Sequence, residues 1–161
     1  EGAKVSTCDI NEAKLKQVVA KHPTIEVVDG NTIFDKEWDI YAPCALGATV
    51  NTESINKMKC PVIAGGANNQ LADENVHGPM LVEKGIIYVP DFLINAGGII
   101  NISIEIDGYN KDRAYNTVAK IYDRTLTIFD MAEKAGIHTQ LAAMQMAEKR
   151  MNEIAKLRVG I

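Results

Sequence analysis

Small and polar residues follow several short apolar segments of the chain, where they could contact a ligand. Asp9 ends the first such segment, and later segments run into Ala42–Gly47 (APCALG), Gly65–Gln70 (GGANNQ) and Asn95–Gly98 (NAGG). Glycine lets the backbone approach a ligand closely, and a carboxamide both donates and accepts hydrogen bonds. These residue types suit a polar ligand that carries an amide group. Because Asn and Gly also dominate ordinary turns, each loop taken alone could be only a turn.

The segments that precede these loops predict a parallel sheet. Each is short, rich in apolar and β-branched residues and bounded by Pro or Gly, as buried strands are. The predicted strands are Ala3–Cys8, Ile25–Val28, Trp38–Ala42, Pro61–Ala64 and Ile86–Val89. The predicted helices between them are Asn11–Lys21, Glu53–Met58 and Glu74–Lys84. This alternation favours an α/β fold with a doubly wound sheet, whose ligands bind at the carboxyl ends of the strands. The polar loops would therefore face one crevice.

From about Asn95 onward the pattern is helical only. The predicted helices are Gly98–Ile106, Asp112–Lys134 and Thr139–Leu157. Breaks at Asp107–Gly108 and at Gly136 separate them. Gly136 is a plausible C-terminal cap of the second helix, and Thr139 is a plausible N-cap of the third.

Asp9 occupies the position at which doubly wound dehydrogenases place the carboxylate that binds the ribose hydroxyls of a dinucleotide. A carboxylate there repels a 2′-phosphate, which favours NAD over NADP. The alternative is that Asp9 only caps the helix that follows it. The glycine-rich turn that should lie about 20 residues before such an acid is not found ahead of Asp9.

Charge and hydropathy exclude several classes of partner. With 17 Lys and Arg against 21 Asp and Glu, the net charge is −4, so we expect no nucleic acid partner and no binding to an acidic membrane surface. No apolar run reaches the roughly 18 to 20 residues that span a bilayer, and the start of the chain lacks the features of a signal peptide. We expect a cytoplasmic protein.

The three cysteines, Cys8, Cys44 and Cys60, indicate neither a disulfide framework nor a metal site. They are odd in number and lack the spacing of zinc ligands. We expect buried structural thiols, which is the usual environment of free cysteine. Catalysis by the Cys44 thiol would need a base, and no motif links a histidine to it.

Three loop sequences together resemble a known family. DIYAPCALGATVN (Asp39–Asn51), IAGGANNQL (Ile63–Leu71) and PDFLINAGGIIN (Pro90–Asn101) closely resemble the nucleotide-binding domain of the amino acid dehydrogenase superfamily, in its leucine, valine and phenylalanine branch and closest to its leucine-specific members. The resemblance runs from Ala3 to about Asn152. It implies a Rossmann-like domain that lacks its first strand and glycine-rich turn.

From this resemblance we expect a partial NAD-binding domain at residues 1–135 and a C-terminal helical tail at residues 136–161. The absent strand is normally central and would lie between the strands at Ala3 and Trp38. Its absence would leave unpaired edges inside the sheet.

The resemblance also implies an activity, namely reversible NAD-dependent oxidative deamination of an L-amino acid to its 2-oxo acid and ammonia. The catalytic lysines and aspartate of the family lie in a preceding substrate domain, and no residue here matches them. We therefore expect no catalytic residue in this chain and no activity from it alone. Family members form homo-oligomers, so we expect the same of the intact protein.

The cofactor residues implied by the resemblance come from three loops. The acid matching Asp9 holds the adenosine ribose. The loop that matches Cys44, Ala45 and Leu46 passes along the cofactor. Asn68 lies on the side of the nicotinamide carboxamide.

The substrate residues implied by the resemblance begin at Asn95, which matches the asparagine that helps to hold the α-carboxylate. Gly97 and Gly98 let the following helix start approach the substrate. Ile99 and Ile102, on one helix face, line the side-chain pocket. Two branched alkyl groups cannot pair with a second carboxylate, which disfavours glutamate, and their bulk favours Leu, Val or Ile over Phe. Three alternatives stay open: these isoleucines are core residues, the substrate is phenylalanine, or the chain is a non-catalytic nucleotide-binding module.

Overall fold

The computed structural model describes residues 2–106 and 108–158. Within them the chain forms short strands separated by helices and then continues as helices alone. The strands are β1 (Ser6–Thr7), β2 (Glu26–Val27), β3 (Ile40–Tyr41), β4 (Val62–Ile63) and β5 (Ile87–Tyr88). The helices are α1 (Glu12–Lys21), α2 (Thr52–Lys57), α3 (Glu74–Glu83), α4 (Asp91–Ile94), α5 (Gly97–Glu105), α6 (Lys111–Ala135) and α7 (Thr139–Arg158), with one 3-10 turn at Ile33–Asp35. None of these helices is both long and apolar enough to cross a membrane.

The strands form two parallel sheets that are not joined by strand pairing among the described residues. One contains β1 and β2, with Ser6 opposite Glu26, and the other has the order β3-β4-β5, with Tyr41 opposite Ile63 and Ile63 opposite Tyr88. This confirms the predicted parallel α/β fold. The division falls between β1 and β3, where the sequence predicted a missing central strand, so the domain is partial as expected.

Two hydrophobic cores support the larger sheet and the C-terminal helices. The first surrounds β4 and β5, and its buried residues include Val50, Ile55, Ile63, Leu81 and Tyr88. The second lies where α4, α6 and α7 meet, and contains Leu93, Ile128, Ala132, Ala142 and Ala143. Helix α1 buries none of its side chains. The β1–β2 sheet and α1 therefore contribute to neither core.

The helix ends agree with most of the predicted boundaries. Gly136 ends α6 in the left-handed region at φ +66°, as predicted. Thr139 is not the N-cap of α7 but its first residue, and its hydroxyl donates to the Tyr88 carbonyl at 2.6 Å. His138 takes the capping position instead, because its Nδ1 accepts the Leu141 N–H at 3.3 Å. The predicted break at Asp107 lies outside the described residues.

Candidate functional site

The loops that follow β3 and β4 are joined by backbone hydrogen bonds. The Ala67 N–H donates to the Pro43 carbonyl at 2.9 Å, and the Ala48 N–H donates to the Asn69 carbonyl at 2.7 Å. Ala48 and Asn69 both have positive φ, at 64° and 53°. The two loops therefore form one connected surface at the carboxyl ends of the strands, as the predicted topology requires.

Two glycines are needed for this loop contact and not for a ligand. A Cβ on Gly47 would lie 2.6 Å from the Asn69 carbonyl oxygen, and a Cβ on Gly65 would overlap the backbone of Pro43. Gly66, Gly97 and Gly98 differ, because a Cβ on any of them would meet no atom within 4 Å. Among the glycines of the three polar loops, these three leave open space that a ligand could fill.

Asn68 and Asn95, which we expect on the cofactor side and the substrate side of the site, come into direct contact. The Asn95 Nδ2 donates to the Asn68 Oδ1 at 2.5 Å, and it lies 3.4 Å from the Gly66 carbonyl oxygen. The Asn68 amide nitrogen and the Asn95 amide oxygen have no protein partner among the described residues, so the pair offers one donor and one acceptor. A carboxamide, which both accepts and donates, is a suitable ligand for such a pair.

Helix α5 starts beside this asparagine pair. Its first intrahelical bond runs from the Ile100 N–H to the Ala96 carbonyl, so the N–H groups of Gly97 and Gly98 have no partner within the helix. A helix N-terminus carries partial positive charge and favours an anion. The site therefore combines an amide pair with an anion-attracting helix start.

Ile99 and Ile102 lie on the exposed surface of α5. Their exposed fractions are 67% and 59%, whereas the buried residue of this helix is Ile104. The alternative that both are core residues is therefore wrong. They present an apolar surface directly after the glycines, which is where a substrate side chain could pack.

Two buried residues, Gln70 and Asp91, are hydrogen-bonded to the backbone of the loops that form this site, and the sequence did not single them out. The Gln70 side chain is fully buried and its Nε2 donates to the carbonyls of Gly65 at 2.7 Å and Ala67 at 2.9 Å. The Gln70 N–H donates to Asp91 Oδ2 at 3.2 Å. Asp91 is 7% exposed and its Oδ1 accepts the Phe92 N–H at 2.7 Å. In the motif PDFLINAGGIIN, Asp91 directly follows Pro90, a pair that is typical of a helix start. This pattern could have indicated Asp91 from the sequence.

In the part of the chain that the structure describes, the predicted cofactor residue Asp9 is not hydrogen-bonded to the asparagine pair. Asp9 is exposed, and its Oδ1 accepts the Asn11 N–H at 2.7 Å. Asn11 itself caps α1, so Asp9 is not the helix cap that the alternative required. Asp9 follows β1 of the two-stranded sheet, and no hydrogen bond joins it to Asn68 among the described residues.

The loop at Cys44, Ala45 and Leu46 is exposed throughout, and the Leu46 side chain is 97% exposed. Cys44 is therefore not the buried thiol that was expected, and of the three cysteines Cys60 alone is buried. Burial raises the pKa of the Cys60 thiol above its usual value. In the described ranges, no group of three or more His, Cys, Asp or Glu side chains could hold a metal ion.

Comparisons with known proteins place the chain among amino acid dehydrogenases. The family model of glutamate/leucine/phenylalanine/valine dehydrogenases matches residues 3–158. The chain is 49% identical to a leucine dehydrogenase of Thermoactinomyces intermedius over 98% of this chain and 43% of that protein. It is 41% identical to a phenylalanine dehydrogenase of Bacillus thermotolerans over 97% of this chain and 42% of that protein.

A solved structure gives the same result. The crystal structure of L-tryptophan dehydrogenase from Nostoc punctiforme superposes with a TM-score of 0.88 at 40% identity, over 95% of this chain and 46% of that chain. The chain thus spans less than half the length of the relatives it matches.

Proposed function

Because this chain belongs to the glutamate/leucine/phenylalanine/valine dehydrogenase family, we propose that it forms the NAD-binding part of a homo-oligomeric dehydrogenase for branched-chain L-amino acids. The reaction is reversible oxidative deamination to the 2-oxo acid and ammonia. The observation that carries this proposal is the contact between Asn68 and Asn95 beside the start of α5. The catalytic lysines and aspartate of the family have no counterpart in this chain, so we expect it to be inactive alone.

The described residues fit NAD as the cofactor. Asp9 uses one carboxylate oxygen for the Asn11 N–H and is exposed, so the other oxygen can accept from a ribose hydroxyl. The open space at Gly66 leaves room for a ligand next to Asn68, whose free amide nitrogen can donate to the nicotinamide carboxamide. NAD, when bound, supplies the hydride acceptor for the α-carbon of the amino acid. The exposed loop at Cys44–Leu46 would pass along the cofactor.

Substrate binding would use the start of α5. The free N–H groups of Gly97 and Gly98 can hold an α-carboxylate, with the helix dipole adding roughly 0.3 to 1 kcal/mol at an exposed position. Asn95 would join them by turning the Nδ2 hydrogen that faces the Gly66 carbonyl, 3.4 Å away, toward the carboxylate. Ile99 and Ile102 would pack against the side chain of the substrate. A glutamate side chain would leave its charge unpaired against them, and that is costly. The names of the relatives, leucine and phenylalanine dehydrogenase, support an apolar amino acid as the substrate class.

The test is a substrate series on the full-length protein, with reduction of NAD followed at equal enzyme concentration. We expect kcat/KM to be highest for leucine, isoleucine or valine, about 10-fold or more lower for phenylalanine, and undetectable for glutamate. A preference for phenylalanine or tryptophan would replace the branched-chain assignment by an aromatic one. NAD binding without turnover of any amino acid would favour the non-catalytic nucleotide-binding module.

The domain division stays a proposal as well. We propose a cofactor domain at residues 1–135 and a helical tail at residues 136–161. The tail is anchored to the domain by the hydrogen bond from Thr139 to the Tyr88 carbonyl and by one from Gln140 Nε2 to Glu74 Oε2 at 3.0 Å.

A further inference from the structure

We propose that Asp91 and Gln70 are positioning residues that hold Asn68 in register with Asn95. This inference rests on the proposed function, in which the asparagine pair binds cofactor and substrate. The Gln70 side chain is fully buried and Asp91 is 7% exposed, and the side-chain hydrogen bonds of both go to backbone groups of the protein. Their effect on the reaction would therefore pass through the two asparagines.

Gln70 shapes the loop that carries Asn68. Its Nε2 donates to the Gly65 carbonyl and the Ala67 carbonyl, which precede Asn68 in the chain. Both bonds are shorter than 3 Å, and the side chain is fully buried. A buried carbonyl that loses its donor is costly, so this loop conformation depends on the amide group of Gln70. The position of the Asn68 side chain follows from that conformation.

Asp91 connects this loop to the segment that carries Asn95. Its carboxylate accepts the Gln70 N–H at 3.2 Å, and its backbone carbonyl accepts the Asn95 N–H at 3.0 Å. One residue is thus bonded both to the loop of Asn68 and to Asn95 itself. The second carboxylate oxygen accepts the Phe92 N–H, which fixes the side chain at the start of α4.

The carboxylate is suited to this connection because it accepts at both oxygens. Hydrogen bonds to an ionised acceptor are stronger than those between neutral groups. An asparagine has the same shape but only one oxygen, and its NH2 group would face either the Gln70 N–H or the Phe92 N–H as a second donor. Asp91→Asn should therefore release one of the two bonds without changing the volume of the site.

The main test is a double-mutant cycle on the full-length protein. We expect Asp91→Asn to lower kcat/KM for leucine by about 10- to 100-fold. Losses of this size are typical when a residue that supports a reactive group is changed and the group moves. In an Asn68→Ala background, Asp91→Asn should lower kcat/KM by less than about 3-fold, because the residue through which Asp91 acts has been removed. Asp73→Asn is the matched control, since Asp73 is an exposed N-cap of α3, a position that Asn also fills well.

A second measurement does not depend on turnover. Hydrogen exchange read by mass spectrometry should show faster exchange in the segment 65–70 for Asp91→Asn and for Gln70→Met, and no change for Asp73→Asn. Gln70→Met keeps an unbranched buried side chain and removes the amide group, with its two donors and its unpartnered Oε1, so it serves if Asp91→Asn folds poorly.

The outcomes separate this inference from the proposed function. The positioning role would be overturned if Asp91→Asn lowered kcat/KM equally with and without Asn68. Unchanged hydrogen exchange in segment 65–70 would also overturn it. If Asn68→Ala alone left the kinetics unchanged while exchange responded as expected, the proposed role of Asn68 would fail and the structural link would stand.

Discussion

The side-chain amide of Asn95 donates to the side-chain oxygen of Asn68 at 2.5 Å, although 27 residues separate them in the chain. One asparagine follows β4, and the other follows β5 at the end of α4. The contact joins the proposed cofactor side of the site to its substrate side. A change at Asn68 should mainly alter cofactor binding, and a change at Asn95 should mainly alter substrate binding. The two residues can therefore be tested separately.

Asn95→Asp should raise the KM for leucine by about 10-fold or more, because a carboxylate at this position repels the α-carboxylate of the substrate. NAD affinity measured by titration calorimetry should change by less than about 3-fold. Asn101→Asp is the control, since Asn101 is exposed on α5, the helix that begins two residues after Asn95. If both variants raised KM equally, the effect would be one of general charge and not of this position.

Asp9→Gln should weaken NAD binding and reduce the preference for NAD over NADP. Glutamine lacks the charge that pairs with ribose hydroxyls and repels a 2′-phosphate. Titration calorimetry with both cofactors measures the change, expected to be about 10-fold for NAD. The control is Asp29→Gln, because Asp29 likewise accepts a backbone N–H two residues ahead, that of Asn31 at 2.9 Å. Unchanged affinity in Asp9→Gln would remove Asp9 from the cofactor site.

Ile102→Ser should lower kcat/KM for leucine more than for alanine, because the larger substrate loses more apolar contact. Loss of such a contact costs about 1 to 3 kcal/mol of discrimination. Ile106→Ser is the control, since Ile106 is 84% exposed and lies one helical turn further from the glycines. An unaltered ranking of substrates in Ile102→Ser would exclude this residue from the pocket.

Gly65→Ala should destabilise the fold, whereas Gly66→Ala should not. A methyl group on Gly65 would overlap the Pro43 backbone, and the same group on Gly66 would meet open space. Overpacking of this kind costs about 1 to 3 kcal/mol of unfolding free energy, which urea denaturation measures. Equal stability of the two variants would contradict the close contact between the loops after β3 and β4.

The stability of the fold should decrease as the pH falls below about 6.5, in part because of His138. Burial lowers the pKa of this imidazole, whose ring is so close to Gly78 that a Cβ there would overlap it, while Glu74 opposes the shift. The unfolded chain therefore takes up a proton first, and the folded state loses stability from pH 6.5 down to the folded-state pKa. Above pH 6.5 this contribution is constant.

His138→Asn should flatten this part of the pH dependence, because asparagine can also cap α7 but does not titrate. The measurement is the urea midpoint between pH 5 and pH 8. His22→Asn, at an exposed histidine, is the control. If the pH dependence of the urea midpoint stayed unchanged in His138→Asn and became flatter in His22→Asn, the effect would belong to His22 and not to His138.

The strands, and the placement of the loops of Asn68 and Asn95 on one side of the sheet, could be predicted from the sequence, whereas the contact between the two side chains could not. Apolar runs bounded by Pro or Gly marked the strands, and parallel topology then brought Asn68 and Asn95 to one edge. Helix α4 was missed, since its four residues are too few for a helical period to show. The cap at Thr139 was wrong because its hydroxyl bonds to Tyr88, 51 residues earlier.

The roles of Gln70 and Asp91 could not be found by the same rules. They depend on a hydrogen bond from the Gln70 N–H to the Asp91 carboxylate, 21 residues apart in the chain, and such a pairing cannot be read from local sequence. The exposure of Cys44 was mispredicted for a related reason, since the general burial habit of cysteine does not account for the loop in which this one lies.

The gap between β1 and β3 means that folding cooperativity is distributed unevenly in this chain. The unit formed by β1, α1 and β2 buries no side chain of its helix, while β3 to β5 are supported by a continuous core. Regions with few buried contacts open with the smallest free energy, so this unit can unfold locally while the rest stays native. Asp9, the acid that we propose binds the ribose, directly follows β1 of that unit. A dinucleotide bound across both units would couple their stabilities.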